Sequence, residues 1–135
     1  LRQQSPGETP PAAERLDHDA TTLPISEVAG YLQDQLGQRI AAHLAGLRDA
    51  KQIGRYRKPD GPAPNQATDL RLREGYKIVR MIVESFDEKT ARVWLFGTNT
   101  RLDDEAPIDV LRRAENPAQF AVVRAAARQL VSFEG

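Results

Sequence analysis

The apolar positions of this chain recur at helical spacing almost throughout. Ile25, Val28, Ala29, Leu32 and Leu36 fall on one stripe, which predicts a core-facing helix over residues 26–36, with Ser26 as N-cap and Gly37 as its stop. Ile40, Ala41 and Leu44 predict a second helix over 38–45, ended by Gly46. A third, over 49–57, starts at Asp49 and carries Ile53 and Tyr56 as an apolar pair. It must stop before Pro59, because the residue preceding a proline is pushed out of the helical region. Three prolines and a glycine make 58–65 a loop. Leu72, Tyr76, Val79, Val83 and Phe86 then mark one face of a long helix over 67–86. Ile78, Met81 and Ile82 widen that face, which fits either a dimer contact or a central core helix. Gly75 inside it costs about 1 kcal/mol relative to alanine, a cost that close approach of another helix would offset.

Asp87 caps the next expected helix, in which Ala91, Trp94 and Leu95 share a face and Gly97 is the stop. A loop follows, and Pro107 suits the first turn of a short helix. A last helix opens at Asn116-Pro117, where Gln119 can complete a capping box. Its stripe is Phe120, Val123, Ala127, Leu130 and Val131. No stretch alternates at period two, so the expected fold class is all-α. Residues 1–23 carry Pro6, Pro10 and Pro11 and little periodicity; they are expected to be a disordered tail with a helical turn over 12–16. The expected organisation is this tail, a helix-turn-helix region over 24–60, and a second helical part over 61–135.

Composition removes whole classes of function. Lys+Arg and Asp+Glu are 19 each, so net charge is zero and a polyanion site must be local. There is no cysteine, which excludes thiol catalysis, Cys-ligated zinc and disulfides, and fits a reducing, cytoplasmic setting. No run is long and apolar enough to span a membrane, and the N-terminus lacks an apolar signal core. His18 and His43 have no partners at metal-ligand spacing, and no Gly-rich phosphate loop occurs. Asp103-Asp104-Glu105 reads as a solvated loop. The chain is not expected to be an enzyme, and no cofactor is implied.

The stretch 38–58 says more. Two short helices about a tight turn match a helix-turn-helix, with Ala42, Gly46 and Ile53 as contact, bend and filler. The turn 47–49 holds one residue more than the common form. Arg48, Lys51, Gln52, Arg55, Arg57 and Lys58 cluster on the second helix and its ends, where cations meet phosphates and Gln52 or Arg55 reaches base edges. A basic helix end also suits the helix dipole without any ligand, and both readings stand.

The order of these pieces resembles a known family. After the basic helix come Trp94-Leu95, Asn99, Leu102, then Pro107, Asp109 and Leu111. This is similar to the toxin-binding domain of Xre/MbcA/ParS-type antitoxins, which carries a tryptophan-leucine helix, a Pro-Asn loop with a leucine three on, and a Pro-x-Asp-Leu-Leu helix start. Thr98 stands in place of the loop proline, and Asp103-Asp104 where glycine is common. The resemblance implies an antitoxin of a type II toxin–antitoxin pair that blocks a RES-type, NAD-consuming toxin and represses its operon by binding operator DNA, as a homodimer. It places toxin contacts after Asn116, on Arg124, Arg128, Phe133 and Glu134. The alternative is a stand-alone helix-turn-helix transcriptional regulator using the same fold for dimerisation or another partner.

Overall fold

The computed structural model describes the backbone of residues 12–134 and side chains from Glu14 to Ser132. The described residues form eight α-helices and one short 3-10 turn, with no strand. They are α1 (Ala12–Thr22), α2 (Ile25–Leu36), α3 (Gln38–Leu44), α4 (Lys51–Tyr56), α5 (Gln66–Ser85), α6 (Glu88–Phe96), α7 (Pro107–Arg113) and α8 (Pro117–Glu134), with the 3-10 turn Thr100–Leu102 between α6 and α7. The all-α expectation holds, and helix bounds fall close to those read from periodicity. No helix among them is long and apolar enough to cross a membrane.

The core is organised by α5. Leu72, Tyr76, Ile78, Val79 and Ile82 are all buried on it, with α2 and α1 packed on one side and α6 and α8 on others. Its broad apolar surface is therefore taken up within the chain. Asn65 caps it by accepting from the Thr68 amide at 2.8 Å. Gly75 is where α3 comes closest. A Cβ there would lie 2.5 Å from Leu44 Cδ2, and Leu44 is fully buried. The two effects oppose each other in Gly75→Ala: better helix propensity contributes about 1 kcal/mol, and overpacking costs about 1–3 kcal/mol. Because Leu44 has no open space to retreat into, net destabilisation is expected in denaturant melts. A raised midpoint would mean that α3 yields freely.

One expectation for the N-terminus is corrected. Residues 12–22 are helix α1, not tail; 1–11 lie outside the described residues. Among the described side chains of α1, only Leu16 and Ala20 are buried, so their apolar burial alone explains little of its docking. Cations of α5 supply the rest. Arg73 Nη1 donates to the carbonyls of Ala20 and Leu23 at 3.0 and 2.8 Å. Lys77 pairs with Asp17 at 2.9 Å and Arg80 with Asp19 at 3.3 Å. Arg80 also bonds the Tyr76 hydroxyl and Glu84, which raises its pKa. Tyr31 stands edge-on to Tyr76 at 5.0 Å, and burial pushes its hydroxyl up to about 12.

Two smaller corrections concern caps. Ser26 does not cap α2, which starts at Ile25 behind Pro24 without a side-chain cap. Gly97 ends α6 in extended conformation (φ −79°), so no left-handed stop is used there. The buried cluster includes α2, α3 and α4 together with α5 to α8, so the core runs across the expected boundary between residues 60 and 61.

Candidate functional site

Two surfaces collect the expected site residues. The first is built on α3, α4 and the turn between them. Gly46 (φ +79°) closes α3 in a Schellman arrangement: the Leu47 amide donates to Ala42 O at 2.9 Å and the Gly46 amide to His43 O at 3.1 Å. Glycine is required here twice over, since a Cβ would meet Arg71 Nη1 at 2.7 Å. Asp49 sits one residue before the cap of α4 and accepts from the Lys51 amide at 2.9 Å. Ala42, Ile53 and Tyr56 are buried, so α4 packs its apolar side on α2 and α3 and turns its basic side outward.

The basic residues do not form one uniform patch. Arg57 is turned back onto α2, where it bonds Asp34 Oδ1 at 3.0 Å and Gln33 at 3.2 Å. It lies over Gly30, where a Cβ would make ordinary contact with Arg57 Nη2 at 3.5 Å. Arg55 bonds Gln52 at 2.5 Å and pairs with Asp49 at 3.5 Å. Arg48, Lys51 and Lys58 are exposed. The cations left without an acidic partner among the described residues are Arg48 and Lys51 at the start of α4 and Lys58 just past its end.

A cleft of about 240 Å³ opens beside that end, lined by Arg39, Ala42, His43, Leu47, Arg48, Ala50 and Arg112. Arg39, His43 and Arg112 were not among the residues singled out from sequence. Arg39 and His43 are four apart on α3, a spacing that could have flagged them; Arg112 comes from α7, and nothing local reveals it. Arg112 Nη1 also donates to His43 O at 2.8 Å, adding a side-chain bond to the carbonyl that the Gly46 amide already engages at the end of α3. His43 Nε2 faces Asp109 Oδ1 at 3.2 Å. Asp109 thus ties α7 to α3.

The second surface is the corner between α6 and α8. Asn99 organises it with side chain and backbone together. Its Oδ1 accepts from the Arg101 amide at 3.0 Å, its carbonyl from Leu102 and Asp104 amides at 2.9 Å, and its amide donates to Glu105 O at 3.1 Å. Asp103 and Asp104 take positive φ (55° and 65°), the region where glycine is cheapest. Leu102, Pro107 and Leu111 are buried, and Trp94 is half-buried against the same core. Pro107 is in the first turn of α7. Of the six motif residues, Trp94, Leu102, Pro107 and Leu111 are buried or half-buried and Asn99 holds the loop, while Asp109 is exposed and faces His43 on α3.

At α8, Gln119 Oε1 accepts from the Glu115 and Asn116 amides at 2.8 and 3.3 Å, and the Gln119 amide donates to Asn116 Oδ1 at 3.1 Å, the reciprocal capping expected. Of the expected toxin contacts, Arg124 is engaged within the fold, bonding Glu74 at 2.7 Å with 20% of its side chain exposed. Arg128 is exposed and lines a groove of about 470 Å³ with Arg15, Leu16, Lys77 and Met81. The side chains of Phe133 and Glu134 lie outside those described. Val93 and Phe96 on α6 and Val122 on α8 are exposed apolar residues, at 66%, 52% and 49%. Among the described residues no group of three or more His, Asp or Glu could hold a metal ion.

No family model, characterised protein or solved structure matches this chain.

Proposed function

We propose that this chain is the antitoxin of a type II toxin–antitoxin pair. It binds a RES-type NAD-consuming toxin through its C-terminal helices and excludes NAD by occupying the toxin's cleft. As a homodimer it binds operator DNA through α3 and α4, acting as a helix-turn-helix, and represses its own operon. The observation that carries this reading is the Asn99 corner. Residues that resemble the family motif in sequence also meet in one unit, with Asn99 as its hydrogen-bond hub and Leu102, Pro107 and Leu111 buried around it. Arg128 and Val122 give α8 both a cation and an apolar contact for a protein partner. Val93 and Phe96 supply an apolar pair for contact between copies. The toxin's class rests on the resemblance.

The test is genetic and biochemical. Expression of the reading frame adjacent to this gene should arrest growth, and co-expression of this chain should rescue growth and give a co-purifying complex. A harmless neighbour, or arrest without rescue, overturns the antitoxin reading. Arg128→Glu is expected to weaken the complex while leaving the melting temperature unchanged, because Arg128 is exposed.

A further inference from the structure

The cleft between α3, the turn 45–50 and α7 has a chemistry unlike the rest of the surface. Three guanidiniums, those of Arg39, Arg48 and Arg112, and the His43 imidazole line it, and among the described residues no carboxylate does. Two carboxylates lie beside this set and both have partners: Asp109 is directed at His43 Nε2, and Asp49, which follows Arg48, accepts from the Lys51 amide and pairs with Arg55. Arg112 spends one N–H on His43 O and keeps further donors in its rigid fork. On a chain of zero net charge this is a local concentration of donors that suits an oxyanion. By contrast, Arg55 and Arg57 at the other end of α4 are already engaged by Asp49 and Asp34.

We propose that this cleft seats a backbone phosphate of duplex DNA, with Arg112 of α7 joining Arg39 and Arg48 in holding it. The inference rests on the DNA-binding part of the function proposed above and deepens it. The cleft flanks the N-terminal end of α4, whose Lys51 is exposed, and that is the end by which a recognition helix meets base edges. A phosphate beside it fixes the register of the helix in the groove. The site also takes a cation from α7, the helix that begins with the Pro107 motif. DNA contact and the motif corner would thus share one element, with Asp109 and Arg112 binding α7 to α3.

The experiment is anisotropy of the full chain on a labelled duplex of its upstream region, at increasing salt. Arg39→Gln, Arg48→Gln and Arg112→Gln should each lower the slope of log affinity against log salt by about 1, across all sequences tested. Arg112→Lys should keep most of the slope. Because Arg112 also bridges two helices, Arg39→Gln, in a residue without an internal ion pair among those described, carries the test if Arg112→Gln melts early. Wild-type slope and affinity in Arg39→Gln and Arg48→Gln, with binding weakened in Lys51→Gln, would overturn the cleft while leaving α4 as the DNA contact. No binding by the wild-type chain would overturn both. Inorganic phosphate is the second probe, followed by amide NMR shifts. If it moves the cleft amides while DNA leaves them unmoved, the site is for free phosphate and the DNA assignment is wrong.

Discussion

Phe120→Ala should destabilise the protein by about 3–5 kcal/mol, the range for emptying a buried aromatic site. Phe120 is 2% exposed in the first turns of α8, the helix that packs on α5, α7 and the 3-10 turn. The other buried residues described on α8, Val123, Ala126 and Ala127, are smaller, so Phe120 brings the largest side chain among them. The cap at Asn116 and Gln119 keeps the start of α8 in place, and a cavity behind it cannot collapse without breaking those bonds. Denaturant unfolding measures the loss. A midpoint shift equivalent to less than about 1 kcal/mol would mean that α8 is held mainly by its polar contacts, such as Arg124 with Glu74. Under the proposed function the same change should abolish toxin neutralisation, through the fold and not through a lost contact. Arg128→Glu provides the contrast, since it should weaken the complex with melting unchanged.

Ile53→Ala is expected to cost about 2–5 kcal/mol. Ile53 is fully buried on a helix of six residues, too short to hold itself together in water. Its anchors are Ile53 and Tyr56 against α2 and α3, helped by Arg57 with Asp34 and by Asp49 at the amide of Lys51. Removing the larger apolar contribution should unfasten α4 before the rest of the chain. Amide hydrogen exchange can separate the two cases. Faster exchange over 51–56 than over α5 supports a locally released α4, whereas equal acceleration everywhere would show that α4 is part of a single cooperative unit. DNA affinity should fall in step with the loss of α4 protection. Arg57→Ala is a milder case: its loss reports on an ion pair half exposed to solvent, so a change in DNA binding there has to be separated from a shift in α4 itself.

The comparison of these two sites shows what kind of information a linear pattern holds. Ile53 and Phe120 were both legible as core residues, because each sits on an apolar stripe whose period is local. The caps at Asp87, Asn65 and Asn116 obey short-range rules too; Asp87 accepts from the Thr90 amide at 2.7 Å, as a cap read from sequence should. Gly75 was legible as a helix defect in need of a close neighbour, and Leu44 is that neighbour. The candidate site was legible only in outline. Arg57 and Arg124 look like free cations in the sequence, yet Asp34 and Glu74, distant in sequence, engage them. Arg39 and Arg112, 73 positions apart by number (112 − 39), meet at one cleft.

By itself, then, the sequence determined seven of the eight described helices with approximate ends, the glycine bend at residue 46 and the apolar faces, since each depends on residues within a turn or two of one another. Tertiary structure alone decided three things. Helix α1 is ordered because Arg73, Lys77 and Arg80 of α5 hold its carboxylates and terminal carbonyls, a cross-helix charge match with no local periodicity. Of the basic residues on and after α4, Arg55 and Arg57 are engaged by Asp49 and Asp34, which leaves Lys51 and Lys58 as the cations without an acidic partner among the described residues. And α7, legible only as a proline-started helix, becomes a neighbour of α3 through Asp109 and Arg112. Most of the deciding interactions reach from a side chain to a carboxylate or carbonyl far off in the chain, as with Lys77 and Asp17, Arg57 and Asp34, or Arg112 and His43 O, and such a contact leaves no mark on the spacing of either partner.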